Sequence, residues 1–221
     1  MELFKYLKKR DFEALLESGS IRLGTLKNYQ SSEHGTMVSD SMEGAKRFTG
    51  NYSNVTADSI KGSHALSSLI SIGEGGGIGS LVMDNVVISE PNYLIFSMSS
   101  NYSDSDHKSW LDHESYDSCY KIIAPSTFFR RVTQKLNKLM PVKFLGLFEV
   151  HYYDEEIGMD FFDDKNSYPA FMLKNHDGFS TQKEIRAVWE PTTKEDITPI
   201  NLNEQRLRSY VNFYRSLEIS T

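Results

Sequence analysis

The chain has 221 residues, a hydrophobic content of 39% and a net charge of -6, values typical of a folded globular protein. The acidic balance disfavours a general nucleic-acid or membrane binder, because phosphate contacts need a surplus of lysine and arginine. The sequence has no apolar stretch of about 18 residues and no apolar signal core near its start, so we expect a soluble, cytoplasmic protein without a membrane partner. The single cysteine, Cys119, excludes an internal disulfide and fits a reducing compartment.

Short strands dominate the elements predicted for the first hundred residues. One helix interrupts them, with Asp11 predicted as its N-cap and Gly19 as its end. The last two strands of this part are separated by 90–92 and are predicted to form a hairpin at the centre of a sheet. The predicted strands are 3–7, 21–26, 47–56, 66–72, 81–89 and 93–99.

Two loops between these strands have unusual compositions. The segment 27–50 is polar and has little apolar periodicity, and long loops of this kind are often functional. The glycine run 73–79 resembles a phosphate loop, but it lacks the Gly-Lys-Ser/Thr ending and a clear helix after it, so we predict a hairpin tip. The residues of 27–50 that are suited to chemistry are Tyr29, Glu33, His34, Asp40 and Glu43.

The second half of the chain adds two predicted helices, at 103–113 around Trp110 and from Pro125 to about Leu139. Strands are predicted at 116–123 and 144–153, a further element at 168–173, and a strand or helix at 207–217. Five basic residues surround the second helix and indicate either a solvated helix face or a local phosphate-binding face. These five are Arg130, Arg131, Lys135, Lys138 and Lys143.

Strands outnumber helices, and neither an internal repeat nor a flexible linker divides the chain. We therefore predict a single domain over residues 1–221 of the α+β class. It should contain mixed or antiparallel β-sheets and a few short helices.

The segment 179–184, with the sequence Phe-Ser-Thr-Gln-Lys-Glu, is typical of a turn that enters an apolar strand. Gln182 and Glu184 are two residues apart, so in a strand both side chains leave the same face and can contact one ligand. The structural alternative is an edge strand whose polar residues face water. Arg186 lies on the same side, where it would either pair with a carboxylate or contact a phosphate.

Two further polar features precede this segment: Arg22 on an early predicted strand, and the strand end that carries Ser97 and Ser99. Arginine provides a fork for pyrophosphate, serine can orient a carboxylate, and glutamate can stabilise positive charge on a ribose. Cleavage of the glycosidic bond of NAD needs these functions, because the ribose becomes oxocarbenium-like as nicotinamide leaves. The alternatives are a surface ion pair of Arg22 with Asp40 or Glu43, and ordinary strand-end serines.

The order Arg, then Ser-x-Ser, then aromatic-x-x-Gln-x-Glu resembles the Arg-Ser-Glu class of ADP-ribosyltransferases, which includes toxins that modify Rho proteins and enzymes that modify guanine. Met98 stands where threonine is usual in the serine motif. The resemblance implies a split β core and NAD as a substrate, without a metal. It further implies that Arg22 binds phosphate, Ser97 and Ser99 brace the site, Phe179 and Gln182 recognise the acceptor, and Glu184 is catalytic.

Tyr6 and Tyr29 are candidates for stacking on nicotinamide or adenine. A second, broader resemblance is to an uncharacterised bacterial domain family that opens with a strand, a short helix ending in Ser-Gly, and a strand leading to an acidic loop. Residues 3–43 resemble this opening, and the Lys-Glu-Ile-Arg piece around Glu184 resembles the close of that family. This likeness implies a frame for the site but no activity.

Three classes of function are compatible with these residues. The first is an NAD-dependent mono-ADP-ribosyltransferase that modifies a protein side-chain amide or a nucleic-acid base, as a bacterial or phage toxin or defence effector that an antitoxin or inhibitor protein restrains. The second is a base-excising DNA glycosylase, or a nuclease that uses Asp40, Glu43 and Glu184. The third is a non-catalytic protein-binding module that uses the acidic stretches 154–156 and 160–164. The scattered histidines provide no zinc site.

Overall fold

One large antiparallel sheet organises the computed structural model, which describes residues 1–31, 35, 37–154, 159–162, 167–176, 179–193 and 196–217. Two smaller two-stranded sheets, one antiparallel and one parallel, accompany it. The combination of these sheets with short helices confirms the predicted α+β class. In chain order the strands are β1 (Phe4–Leu7), β2 (Ser20–Thr25), β3 (Ala45–Thr56), β4 (Gly77–Ser89), β5 (Leu94–Ser99), β6 (Ser118–Ile122), β7 (Val142–Glu149), β8 (His151–Tyr153), β9 (Leu173–Asn175), β10 (Glu184–Pro191), β11 (Ile200–Asn203) and β12 (Val211–Ser216).

The helices are α1 (Lys9–Ser18), α2 (Leu26–Tyr29), α3 (Ala57–Gly62), α4 (His64–Leu69), α5 (Asp104–Glu114) and α6 (Pro125–Leu136), and 3₁₀ turns occupy Ala170–Met172, Ser180–Gln182 and Gln205–Tyr210. Gly19 ends α1 as predicted, in a left-handed conformation (φ 69°) that lets its N–H bond to Leu15 O at 2.9 Å. The predicted N-cap is wrong, because Lys8 holds that position and Asp11 lies in the first turn. Within the described part of the chain, no helix is both long enough and apolar enough to span a membrane.

β5 is the strand on which the large sheet is built. Along one edge it pairs with β10, from Ser99 opposite Glu184 to Leu94 opposite Trp189. Along its other edge it pairs with β2 at its beginning, where Ile95 lies opposite Gly24, and with β1 at its end. Two different strands therefore share one edge of β5.

The large sheet opens at the middle of β5. If the β2 register continued, Arg22 would lie opposite Ser97, and if the β1 register continued, Tyr6 would lie opposite the same residue. Because two strands cannot occupy one edge position, β1 and β2 must separate at Ser97. β1 continues the sheet through β6 and β12, while β2 pairs with β11. The separation leaves a gap in the centre of the sheet.

The two faces of β5 and β10 differ in chemistry, because side chains alternate along a strand. On the apolar face Phe96 and Trp189 pack against α6, and Trp189 Nε1 donates to Thr133 Oγ1 at 2.8 Å. On the opposite face, Ile95 and Val188 form an apolar end. The polar residues that follow them on this face are Ser97, Ser99, Glu184 and Arg186.

β3 and β4 form a separate two-stranded sheet over a second hydrophobic cluster. The predicted hairpin between 81–89 and 93–99 is therefore wrong, because β4 pairs with β3 and only β5 joins the large sheet. The predicted strand at 66–72 is also wrong. Ser63 Oγ accepts the N–H of Leu66 at 3.3 Å and caps α4, so this segment begins as a helix. The glycine run contains a turn at Gly75 (φ 75°) that leads into β4.

Three predicted elements are divided in the structure. The segment 144–153 separates at Val150 into β7 and β8, and 207–217 becomes a 3₁₀ turn followed by β12. The segment 168–173 is mainly the 3₁₀ turn that leads into β9. Three further elements, α2, α3 and β11, have no counterpart among the predicted elements.

Gly24 provides a test of how β2 and α2 pack together. A Cβ atom at this position would lie 2.3 Å from Cζ and from the hydroxyl oxygen of Tyr29. We expect Gly24→Ala to lower the free energy of unfolding by about 1–3 kcal/mol, because the ring must move. Urea denaturation should show a smaller loss when alanine is introduced into a Tyr29→Ala background. Gly79→Ala on β4 is the control, since a Cβ there meets open space. If Gly24→Ala costs the same stability with Tyr29 present as in the Tyr29→Ala background, Gly24 and Tyr29 do not pack as described.

Candidate active site

A cavity of about 450 Å³ lies where β1 and β2 separate, within the size range of small-molecule sites. The large sheet, α1, α5 and the loop before β3 supply its walls. Phe179 is absent from the lining; its buried ring lies 4.2 Å from Lys174 Nζ, measured to the ring centroid. The predicted site residues that line the cavity are Tyr6, Arg22, Tyr29, Ser97, Ser99, Gln182, Glu184 and Arg186.

Arg186 is the most heavily bonded side chain at the site. Its Nε donates to Glu184 Oε1 at 2.8 Å, and Nη2 donates to Glu184 Oε2 at 3.4 Å and to Glu43 Oε2 at 2.9 Å. Nη1 donates to Glu43 Oε1 and to Phe171 O. A guanidinium has five N–H groups, and here all five are used. Of the two roles that the sequence left open for Arg186, the structure therefore shows the carboxylate pair.

Lys174, on β9, was not predicted as a site residue. Its Nζ lies 3.1 Å from Glu184 Oε2 and 3.3 Å from Gln182 Oε1, and the residue is only 5% exposed. Lys174 and Arg186 together balance the charges of Glu184 and Glu43. We call these four residues and Gln182 the ion cluster.

Glu43 reaches the ion cluster from the polar loop 27–50. Asp40 shapes that loop by accepting the N–H of Met42 at 2.9 Å. Arg22 donates instead to Asn28 Oδ1 at 3.0 Å, so the alternative in which Arg22 pairs with Asp40 or Glu43 is wrong. Glu33 and His34, named with this loop in the sequence analysis, lie outside the described residues.

The two carboxylates of the ion cluster respond differently to their surroundings. Burial by itself would raise the pKa of Glu184, but the charges of Arg186 and Lys174 and hydrogen bonds from Arg186 and Ser97 hold that pKa well below its usual range. Burial raises the pKa of Glu43, and the nearby cations oppose this effect only in part. Of the two carboxylates, Glu184 therefore has the lower pKa and is the more firmly ionised at neutral pH.

The two serines of the Ser-x-Ser strand end have different partners. The hydrogen bond from Ser97 helps to hold the pKa of Glu184 low. Ser99 Oγ lies 3.0 Å from Gln182 O and ties β5 to the turn before β10. Met98 points to the opposite, core-facing side, where it is buried. Met98, the departure from threonine, nevertheless also belongs to the cavity lining.

The turn before β10 fixes Gln182. Lys183 has a left-handed conformation (φ 43°), and its carbonyl oxygen accepts the backbone N–H of Ser100 at 3.0 Å. Gln182 Nε2 donates to Met37 O at 2.9 Å, and the N–H of Met37 donates to Glu114 Oε1 at 3.0 Å. A short chain of hydrogen bonds thus connects α5 to the ion cluster through Gln182.

Aromatic side chains form another wall of the cavity. The ring of Tyr6 stacks on Trp110, with centroids 6.2 Å apart, and Trp110 stacks on Tyr116 at 5.3 Å. Tyr29 lies across Gly24, and burial, with a smaller contribution from Glu184, raises its pKa. Trp110 is half-buried and lines the cavity, whereas Trp189 is fully buried in the core.

Several predicted features do not converge on this site. The five basic residues around α6 are not part of the cavity lining. Of the acidic stretches, 155–156 and 163–164 lie outside the described residues. Among the residues that the structure does describe, no three His, Cys, Asp or Glu side chains are grouped to hold a metal ion. Glu43 and Glu184, which the nuclease hypothesis would use as ligands, are both paired with Arg186.

Comparisons of the chain with protein-family models, with curated proteins and with solved structures found no match. The chemistry of the cavity is therefore the basis for assigning a function.

Arg186→Met tests the ion cluster. We expect it to lower the free energy of unfolding by about 3–5 kcal/mol at pH 7, because the buried Glu43 loses its counter-charge and Glu184 keeps only Lys174. The folded pKa of Glu184 is below its ordinary value of 4.5, so the stability that Glu184 contributes is complete above that pH and declines as the pH falls below it. The difference between the wild type and the variant should therefore shrink as the pH falls below 4.5, as measured by urea denaturation from pH 7 down to about pH 2.5.

Arg130→Met, on the exposed face of α6, is the matched control and should change stability by less than about 0.5 kcal/mol. A loss in Arg186→Met that does not depend on pH would contradict the charge assignment.

Proposed function

We propose that the protein is an NAD-dependent mono-ADP-ribosyltransferase. The observation that carries the proposal is that Arg22, Ser97, Gln182 and Glu184, which occur in the order of the Arg-Ser-Glu class, line one cavity. Elements that are far apart in the sequence deliver these side chains, so their convergence is not a consequence of local chain geometry. A sheet that opens at Ser97 also suits the split β core that the resemblance implies.

In the proposed reaction the bond between C1′ of the ribose and the nicotinamide nitrogen breaks, and nicotinamide leaves with the bonding electrons. An acceptor nucleophile then bonds to C1′ and releases a proton. Glu184 is suited to stabilise the positive charge on the ribose, because its low pKa keeps it ionised at neutral pH. A ribose hydroxyl would bind Glu184 by replacing the Ser97 hydroxyl or the long 3.4 Å bond from Arg186 Nη2.

Arg186 and Lys174 act as positioning residues in this proposal. They hold the Glu184 carboxylate in one orientation, so little reorganisation is needed when the ribose becomes positively charged. The same cations reduce the negative charge that Glu184 offers to the ribose. The proposed role of Glu184 therefore depends on the fixed position of its carboxylate more than on the strength of that carboxylate as a base.

Gln182 is suited to recognise the acceptor. Its amide uses one N–H on Met37 O and one oxygen lone pair on Lys174. In the described part of the chain, one N–H and one lone pair of Gln182 have no assigned partner, and an adjacent donor and acceptor match the edge of a carboxamide or of a nucleobase. A side-chain amide or a base is therefore the proposed acceptor.

Glu184→Gln should reduce the release of nicotinamide from NAD by roughly 100-fold or more, because glutamine preserves the shape of the side chain but removes its charge. Labelled NAD and a mixture of protein and nucleic-acid acceptors provide the assay. Gln182→Ala should reduce transfer more than it reduces NAD hydrolysis.

Glu190→Gln, a charge removal on the same strand but outside the cavity lining, is the control and should retain activity. Circular dichroism and melting temperatures would establish that each variant is folded. The proposal is wrong if the wild type releases no nicotinamide with any acceptor, or if folded Glu184→Gln releases it at the wild-type rate.

A further inference from the structure

Two cations in the cavity are not neutralised by the ion cluster. Lys5 on β1 and Arg22 on β2 both line the cavity, and in the described part of the chain neither forms an ion pair with a carboxylate. By contrast, Arg10 at the cavity rim has Asp11 beside it, at 3.8 Å. The lining as a whole has five cationic and four carboxylate side chains, so the cavity is locally positive in a chain whose net charge is -6.

The opening of the sheet explains why these two cations lie near each other. Lys5 belongs to the strand on one side of the gap and Arg22 to the strand on the other side. Lys5 Nζ donates to Ser97 O at 2.7 Å, at the place where β5 has no strand partner on that edge. Lys5 thereby satisfies a carbonyl group that the separation of β1 and β2 leaves unpaired.

Both side chains keep donors available for a ligand. Lys5 uses one of its three N–H groups on Ser97 O, and its ammonium lies 5.0 Å from the centroid of the Phe96 ring. Arg22 uses one of its five on Asn28 and is exposed. A carboxylate would satisfy one such cation, whereas a diphosphate carries enough charge and oxygen acceptors for both.

We infer that Lys5 is a ligand-binding residue that acts with Arg22 to hold the diphosphate of an ADP-ribose-containing ligand across the gap between β1 and β2. This inference rests on the proposed function for the identity of the ligand. It adds Lys5 as a residue that selects phosphate-bearing ligands.

The surroundings of Lys5 support this role. The pKa of Lys5 is lowered to about 8, mainly by burial; Glu184 on β10 opposes this shift, and Lys174 on β9 and Arg22 on β2 add to it. A phosphate group would replace the water that Lys5 loses on burial and would favour its charged form. Binding should therefore weaken as the pH rises through about 8, because the free protein loses the ammonium.

Isothermal titration calorimetry with ADP-ribose tests the inference. Lys5→Met keeps an apolar side chain over Phe96 but removes the charge, and it should raise the Kd for ADP-ribose by about 10-fold or more. Binding of nicotinamide riboside, which has no phosphate, should change little. Lys121→Met is the matched control, because Lys121 lies on the adjacent strand β6, pairs with Glu2 and is outside the cavity lining. Unchanged ADP-ribose affinity in folded Lys5→Met would overturn the inference.

The pH dependence of the wild type provides a second test that does not require Lys5→Met to fold. The Kd for ADP-ribose should rise between pH 7 and pH 9.5 in the wild type and stay nearly constant in Lys5→Arg, which keeps its charge over this range. A wild-type Kd that is constant over that range would count against Lys5.

Failure of this inference differs from failure of the proposed function. If ADP-ribose binding depends on Lys5 but NAD releases no nicotinamide, the diphosphate site stands and the transferase proposal fails. If nicotinamide is released and Lys5→Met leaves both KM and ADP-ribose affinity unchanged, the transferase proposal stands and the role of Lys5 is wrong.

Discussion

The guanidinium of Arg186 holds together the parts of the structure on which the site depends. Arg186 belongs to β10, and it binds Glu43 from the polar loop, Glu184 from its own strand and the carbonyl oxygen of Phe171 from a 3₁₀ turn. A buried guanidinium is costly to desolvate, and here five hydrogen bonds and two carboxylates offset that cost. Because burying a hydrophobic residue is often as stabilising as burying an ion pair, stability alone does not explain the ion cluster. Its location in the cavity suggests a use in ligand binding.

The opening of the large sheet places that cluster where a ligand can reach it. A continuous sheet would have paired the backbone edge at Ser97 with a neighbouring strand, whereas the separation of β1 and β2 leaves a gap beside the polar residues of β5 and β10. On the other side of the same strands, α6 and Trp189 form a tightly packed core. The polar face is thus supported by a rigid apolar layer, which favours a preorganised site.

Alternation along single strands made part of this site predictable. Glu184 and Arg186 alternate with apolar residues, so the sequence placed them together on one face, and Ser97 and Ser99 follow the same rule. Lys5 shows the same signal, a cation between the buried Phe4 and Tyr6, and this pattern would have revealed it. Lys174 has no comparable local signal, because its role depends on β9 lying beside the turn at Gln182.

Long-range pairing limited the prediction of the fold. The sequence between β4 and β5 is typical of a hairpin, yet β4 pairs with β3. Phe48 and Tyr52 of β3 are buried in the second hydrophobic cluster, against which apolar residues of β4 pack. The segment after Ser63 resembles a strand in its apolar content, but the cap at Ser63 and the burial of Leu66 favour α4. Such outcomes depend on tertiary packing and so could not be predicted from local pattern.

The central claim is that the cavity at the opening of the sheet binds NAD. Thermal unfolding in increasing concentrations of NAD tests it most directly, because a ligand that binds only the folded state stabilises that state. The account predicts a melting temperature that rises with NAD concentration, with about 2.7 kcal/mol of added stability at 100 times Kd. A melting temperature that stays constant up to millimolar NAD would contradict it.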